Sequence, residues 1–137
     1  MTEYNVKENM AHQPPMLLVD EVLEADAARA TTTFLIKEES IFIDADGKFA
    51  RAALIEVMAQ SFAAGNAYNC VRENRAQEKG FLVGLRDIKI YADACVNDLL
   101  TCKVEKADFV AQTYIIKGRV FKGESLLAEG ELRLFAF

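Results

Sequence analysis

Residues 50–68 read A-R-A-A-L-I-E-V-M-A-Q-S-F-A-A-G-N-A-Y, and this apolar run is the strongest structural signal in the chain. It is rich in Ala, Leu and Met, which favour helix, so it predicts one long helix. Over positions 52–64 the only polar residues are Glu56, Gln60 and Ser61. A helix that is apolar nearly all round is buried rather than amphipathic. Because Glu56 and Gln60 are four residues apart, they form one short polar stripe on that buried surface.

The rest of the chain predicts strands on both sides of the helix. Apolar, β-branched and alternating runs predict strands over Met16–Ala25, Ala28–Lys37, Phe81–Tyr91, Leu99–Ala107, Phe109–Phe121 and Ser125–Phe137. We expect hairpin turns at Ala107-Asp108 and at Lys122-Gly123-Glu124, where glycine tolerates positive φ. Asp44–Gly47 is turn-like and offers helix N-cap residues. An irregularity is expected at Gly84 or Asp87.

Two strands, one long helix and four antiparallel strands predict an α+β fold with residues 1–137 in a single domain. A helix buried all round must be wrapped by a curved antiparallel sheet, and another subunit can cover its outer side. This is the arrangement of a hotdog fold, whose usual dimer joins two sheets edge to edge.

Composition excludes several classes of protein. The chain has 137 residues, a formal net charge of −5 and 52% hydrophobic residues. This balance excludes intrinsic disorder, and no apolar run approaches the ~20 residues of a spanning helix. The N-terminus is polar and acidic, so we expect no signal peptide there. An acidic chain without a Lys/Arg stripe gives no electrostatic footprint for nucleic acid. We therefore expect a cytoplasmic protein that binds neither nucleic acid nor membrane.

The chain has three cysteines, Cys70, Cys95 and Cys102, and a single histidine, His12. No two cysteines form a C-x-x-C pair, and a zinc site would need all three to converge on His12. We expect reduced, mostly structural thiols and no metal or cofactor. Any imidazole chemistry must come from His12, unless a partner chain supplies another histidine.

Two motifs resemble those of beta-hydroxyacyl-acyl-carrier-protein dehydratases. Residues 12–20, H-Q-P-P-M-L-L-V-D, resemble the family's Pro-His-x-x-Pro-(Phe/Met)-Leu-Leu-(Val/Leu)-Asp opening. Residues 54–60, L-I-E-V-M-A-Q, resemble its central-helix signature, (Leu/Ile)-(Ile/Leu)-Glu-x-Met-Ala-Gln. Residues 81–85, F-L-V-G-L, are a weaker third match. The motifs follow in the family's order over nearly the whole chain, and they imply a hotdog dimer and thioester chemistry.

The chain departs from the best-known members of this family at one place. Those enzymes carry Gly-His-Phe-Pro before the central helix, and that histidine is their catalytic base. The corresponding residues 43–49, I-D-A-D-G-K-F, contain neither histidine nor proline. In this respect the chain resembles the divergent branch of predicted dehydratases from aryl-polyene-type pathways. Members of that branch can act beside a second dehydratase-like subunit.

The resemblance implies removal of water from a beta-hydroxyacyl thioester, carried on acyl carrier protein or coenzyme A, to give a trans-2-enoyl thioester. This chemistry needs a base, an acid for the leaving hydroxyl and donors for the thioester oxygen. His12 is the candidate base, because imidazole titrates near neutral pH. Glu56 is the candidate acid, because burial favours the neutral form of a carboxyl group. Amides in the first helical turn can face the thioester oxygen.

Four further residues are candidates for substrate binding: Gln60, Phe49, Gly84 and Arg51. Gln60 either orients Glu56 or joins the helix to the sheet. Phe49 belongs to the core or to an acyl tunnel, and Gly84 to a strand bulge or a ligand contact. Arg51 is either a solvated charge or part of a basic rim for a phosphopantetheine arm or an acidic carrier protein.

Three functions fit these residues. The first is the dehydratase, as a homodimer or as half of a heterodimer. The second is a hotdog thioesterase, in which Glu56 activates water for attack on the thioester carbonyl. The third is a non-catalytic subunit of a dehydratase heterodimer, which the missing Gly-His-Phe-Pro histidine favours.

Overall fold

One long helix and six strands make up most of the chain, of which the computed structural model describes residues 4–137. The elements in chain order are α1 Val6–Asn9, β1 Glu21–Ala25, β2 Arg29–Leu35, α2 Arg51–Arg72, β3 Gly80–Ile90, β4 Leu99–Val110, β5 Thr113–Lys122 and β6 Ser125–Ala136. Within residues 4–137, no helix is both long enough and apolar enough to cross a membrane.

The six strands form one antiparallel sheet in the order β1-β2-β4-β5-β6-β3, which curves around α2. The helix packs its buried residues against the central strands, and Leu54, Met58, Leu100, Ile116 and Leu132 have no exposed surface. This confirms the predicted hotdog architecture of a curved antiparallel sheet wrapped around one long central helix.

Small residues let the helix lie close to the sheet. A Cβ atom on Gly65 would lie 2.5 Å from the Cβ of Ala30 on β2. A Cβ atom on Gly118 of β5 would lie 2.8 Å from the sulfur of Met58. Both distances are too short for real carbon contacts, so glycine at these two positions sets the depth at which α2 sits in the sheet.

One side of α2 is left uncovered by its own sheet. Ala52 and Ala63 are exposed on this side, and Ile55 and Phe62 are half-buried. The edge strand β3 is also uncovered, and its Phe81 and Val83 are 60% and 59% exposed. The prediction of a helix buried all round therefore holds for the sheet side of α2 only.

Several local predictions are confirmed. The register of β3 against β6 shifts between Leu82 and Gly84 and again between Arg86 and Lys89, where Asp87 has a φ of 53°. The turn between β5 and β6 contains Gly123 with a φ of 58°. The irregularities of β3 and the second hairpin thus lie where the sequence predicts them.

Three local predictions are wrong. The first hairpin turns at Ala111 and Gln112, both with positive φ, and the register only shifts between Lys106 and Asp108. The helix is capped by Ala50 rather than by a polar side chain, because Asp44 instead accepts hydrogen bonds from the amides of Asp46 and Lys48. The first strand begins at Glu21, not Met16.

Candidate active site

The imidazole of His12 and the carboxylate of Glu56 meet in one chain. His12 follows α1 on a loop, and Glu56 lies in the second turn of α2. The Nε2 atom of His12 is 3.4 Å from Oε1 of Glu56. Their side chains are 39% and 35% exposed, so a solute can reach both. Glu56 is thus less buried in this protomer than the apolar helix sequence predicts.

The backbone around His12 is fixed by hydrogen bonds that its neighbour Gln13 donates and accepts. The Gln13 side-chain amide donates to the carbonyl oxygens of Lys7 at 2.6 Å and Met10 at 2.9 Å. The Gln13 carbonyl accepts from the amides of Met16 and Leu17. These contacts close the loop on both sides of His12 and so limit the positions that its ring can take.

An apolar cluster anchors the same segment on α2. Val6, Met10, Leu17 and Val19 are buried together against Ala64 of the helix. The backbone conformation of the His12 loop is thereby tied to the helix that carries Glu56.

Gln60 joins Glu56 to the segment that follows His12. Its Oε1 accepts from the amide of Leu18 at 2.6 Å, and its Nε2 donates to the carbonyl of Met16 at 3.0 Å. The same Nε2 lies 3.3 Å from Oε1 of Glu56. Gln60 therefore orients Glu56, and it links the helix to the segment before β1 rather than to the sheet as the sequence alternative expects. Because it is 1% exposed, it can act on a ligand only through Glu56.

Arg51, at the start of α2, is held in an ion pair. Its Nε donates to Oδ1 of Asp93 at 2.8 Å, and the Nζ of Lys48 lies 3.9 Å from the other oxygen of Asp93. The hydrogen bond from Arg51 lowers the pKa of Asp93 below its usual value. Asp93 had no signal in the sequence, because it lies in a loop 42 residues further along the chain.

The first turn of α2 carries no acidic side chain of its own. Ala50 provides no side-chain cap, and no acidic residue lies in the first turn. The amide of Ala53 bonds to the carbonyl of Ala50 at 2.9 Å, so the amides of Arg51 and Ala52, at the positive end of the helix dipole, remain for solvent or a ligand.

Phe49 and Gly84 have other surroundings. Phe49 is 1% exposed, and its ring packs against Phe34 and Phe42 at centroid distances of 6.1 and 6.2 Å. Gly84 lies on β3, where an added Cβ would make an ordinary contact with the side chain of Arg133 at 3.5 Å. The structure thus brings His12, Glu56 and Gln60 together, and places Phe49 in the core, Gly84 on the edge strand and Arg51 in an ion pair.

The three residues that meet can carry out proton chemistry. An imidazole and a carboxyl group in contact can exchange a proton, and a bound group between them can lose a proton to one and gain a proton from the other. Gln60 holds the carboxyl group in place without titrating, since an amide does not ionise.

Comparison with solved structures identifies the fold. The chain is similar to a chain of the dehydratase heterocomplex ApeI:P from Xenorhabdus doucetiae, with a TM-score of 0.89, 18% identity, and coverage of 98% of this chain and 91% of that chain. It is also similar to a hypothetical thioesterase from Streptococcus pneumoniae solved with coenzyme A, with a TM-score of 0.68, 13% identity, and coverage of 85% and 86%. At these identities the likeness establishes the hotdog fold alone.

The family is identified by sequence. No curated protein matches the chain. The model of the family described as ApeP dehydratase matches residues 4–136, which include the His12 loop, all of α2 and the whole sheet. The chain therefore belongs to the ApeP-like dehydratase family.

Proposed function

We propose that this chain removes water from beta-hydroxyacyl thioesters to give trans-2-enoyl thioesters, with His12 as base and Glu56 as acid. The observation that carries the proposal is the 3.4 Å contact between His12 Nε2 and Glu56 Oε1 at a position open to solvent. It places the only imidazole of the chain beside the only carboxylate of the central helix. The family, described as ApeP dehydratase, supports this reaction class.

The proposed reaction is balanced by one proton transfer. His12 Nε2 takes the proton from the carbon next to the thioester carbonyl, and protonated Glu56 gives its proton to the β-hydroxyl group. The carbon–oxygen bond breaks, water leaves and the double bond forms. His12 then has one proton more and Glu56 one fewer, so transfer from His12 to Glu56 across their contact restores both groups.

The negative charge that develops on the thioester oxygen needs donors. Arg51, the first residue of α2, precedes Glu56 by five positions, which is about 7.5 Å along the axis. A thioester whose β-carbon lies beside Glu56 can therefore direct its carbonyl oxygen toward the uncapped amides of the first turn, whose partial charge is positive.

Hydration of a trans-2-enoyl thioester, the reverse reaction, tests the proposal. We expect the purified protein to remove the conjugated ultraviolet band of the enoyl thioester without release of free thiol. Both coenzyme A and acyl-carrier-protein thioesters should be supplied, because either carrier fits the proposal. Thiol release in place of hydration would identify a thioesterase instead. If the protein is inactive alone but activates a co-purified dehydratase-like partner, the non-catalytic subunit is the better description.

We also propose that a second subunit, either another copy or a related dehydratase subunit, pairs with β3. Its Phe81, Val83 and Leu85 are 60%, 59% and 49% exposed on an edge strand, and an open apolar edge favours pairing with another chain. The similar Xenorhabdus structure is itself a heterocomplex, which supports this proposal.

Substitution on the two edge strands tests the interface. We expect Leu85→Lys to convert a dimer into monomers in sedimentation velocity, because it places a charge in the pairing surface. Leu23→Lys on β1, the opposite edge, changes a leucine of similar exposure, 57% against 49% for Leu85, and should leave the dimer intact. The opposite pattern would locate the interface at β1. A parent protein that stays monomeric both alone and when co-expressed with a related dehydratase subunit would contradict the proposal.

A further inference from the structure

The side chain of Gln13 supplies hydrogen bonds that the backbone around His12 cannot make. The one-turn helix α1 leaves carbonyl oxygens without intrahelical partners, as every helix end does. The chain offers few amides to satisfy them, because both residues after Gln13 are prolines, which have no N–H group. Gln13 Nε2 donates instead to the carbonyls of Lys7 at 2.6 Å and Met10 at 2.9 Å. Its side chain therefore closes the loop that carries His12.

The position requires a carboxamide in particular. The nitrogen of a carboxamide has two hydrogens and can serve two carbonyl oxygens at once. A carboxylate of the same size has only acceptors and would face two further acceptors. Because both contacts of Gln13 Nε2 go to the backbone, this nitrogen has no hydrogen left for a ligand. The amide group is thus committed to the shape of the loop.

Packing alone does not hold this loop. Met10 and Leu17 are buried in the apolar cluster on α2, whereas every residue between them is exposed or half-buried. His12 Nε2 lies 3.4 Å from Glu56 Oε1, beyond the range of about 2.7–3.2 Å that is usual for a hydrogen bond from nitrogen to oxygen. A small displacement of the loop would therefore separate the imidazole from the carboxyl group.

A continuous path of contacts joins Gln13 to the carboxyl side of the site. The Gln13 carbonyl accepts from the amide of Met16 at 2.8 Å. The Met16 carbonyl accepts from Nε2 of Gln60 at 3.0 Å, and this nitrogen lies 3.3 Å from Oε1 of Glu56. One glutamine thus holds the loop of the imidazole, another holds the carboxyl group, and a single residue connects the two.

We propose that Gln13 is a positioning residue for the reaction. Its side-chain amide holds the backbone of His12 where the imidazole reaches Glu56, and it acts through His12 rather than on the reacting atoms. The inference rests on the proposed dehydratase function for its effect on the rate. Its geometric part concerns only the contact between His12 and Glu56.

Gln13→Met tests the effect on the rate, because methionine keeps the length of the side chain and removes both donors without adding a charge. We expect kcat for hydration of a trans-2-enoyl thioester to fall by about 10–100-fold with little change in KM, since a misplacement of about 1 Å can cost about 10²-fold. A lower melting temperature with an unchanged kcat would show that Gln13 only stabilises the fold, and would overturn the inference.

Gln77→Met is the matched control. Gln77 is also exposed, and its Nε2 also contacts α1, at 3.3 Å from Oδ1 of Asn9, but it does not bond to the His12 loop. This variant should keep the kcat and KM of the parent protein. An equal loss of kcat in both variants would mean that any disturbance of α1 lowers the rate, and would contradict a specific role for Gln13.

Nuclear magnetic resonance observes the contact without turnover. His12 is the only histidine of the chain, so the ring signals of protein labelled with isotopic histidine, and purified without a histidine tag, belong to it. Glu56→Gln should shift these signals in the parent and in Gln77→Met, because it removes a carboxylate 3.4 Å from the ring. In Gln13→Met the same substitution should shift them much less. An equal shift in Gln13→Met, or no shift in the parent, would overturn the inference.

The two experiments separate the inference from the proposed function. A parent protein that hydrates no enoyl thioester, alone or with its partner subunit, would contradict the dehydratase function, and the ring signals would still decide whether Gln13 holds His12 beside Glu56. If hydration occurs and the ring signals of Gln13→Met respond to Glu56→Gln as in the parent, the function stands and the positioning role fails.

Discussion

Glu56→Gln is expected to lower kcat/KM for hydration of a trans-2-enoyl thioester by about 10²–10⁴-fold, the usual contribution of a positioned acid or base. An amide has nearly the size of the carboxyl group but has no acidic proton to give. The fold should not change, because the side chain is about one-third exposed and its hydrogen-bonding neighbour Gln60 remains buried. Loss of the conjugated ultraviolet band measures the rate, and thermal unfolding checks that the variant is folded.

His12→Ala and the double variant complete this prediction. If His12 and Glu56 act as a unit, each single variant should lose most of the activity, and the double variant should be little worse than the poorer single one, since such effects are strongly non-additive. Glu124→Gln, in the exposed β5–β6 turn, is the matched carboxyl control and should keep full activity. Unchanged turnover in both single variants would contradict the assignment of base and acid.

The sequence predicts the central helix well, because helix propensity depends mainly on the residues of the helix itself. Its predicted start at Ala50 is one residue from the observed start at Arg51. Its end at Tyr68 is four residues short, because Asn69 donates its side-chain amide to the carbonyl of Asp26 at 2.7 Å and Cys70 is fully buried. Contacts with residues far away in the chain thus extend the helix beyond the point that its own composition indicates.

The strand predicted from Met16 fails for a related reason. Residues 16–20 have a strand-like pattern, and Leu17, Leu18 and Val19 are all buried. The Leu18 amide and the Met16 carbonyl bond to the side chain of Gln60, however, so they cannot join a ladder with another strand. The hydrogen bonds that end this strand are the same ones that bring the His12 loop to Glu56.

The candidate site is predictable only in part. The two family-like motifs identify His12, Glu56 and Gln60, which the structure brings together. The ion pair of Arg51 with Asp93 and the hydrogen bond of Tyr114 to Glu78 join residues that are distant in the chain. Spacing within one sequence does not indicate which distant loops meet, so these contacts could not be predicted.

Phe49→Ala is expected to destabilise the protein by about 3–5 kcal/mol, the usual cost of truncating a buried aromatic ring. Phe49 is 1% exposed and packs between Phe34 and Phe42, so its removal leaves a cavity that neighbouring rings fill only in part. In a domain of this size the melting temperature should fall by about 10–20 °C. Denaturant and thermal unfolding, at one fixed protein concentration, measure the change.

A substrate-binding role for Phe49 predicts a different result, namely a higher KM with an almost unchanged free energy of unfolding. Phe137→Ala is the matched control, because it removes the same ring from a side chain that is 55% exposed and should cost no more than about 0.5 kcal/mol. Phe49→Leu should recover much of the lost stability, since it refills most of the volume. Because Phe49 immediately precedes the helix cap at Ala50, we expect its removal to loosen the start of α2 as well. A loss of activity in proportion to the unfolded fraction would identify Phe49 as a core residue that supports the site. A loss of activity without a change in stability would indicate instead that Phe49 contacts the acyl chain.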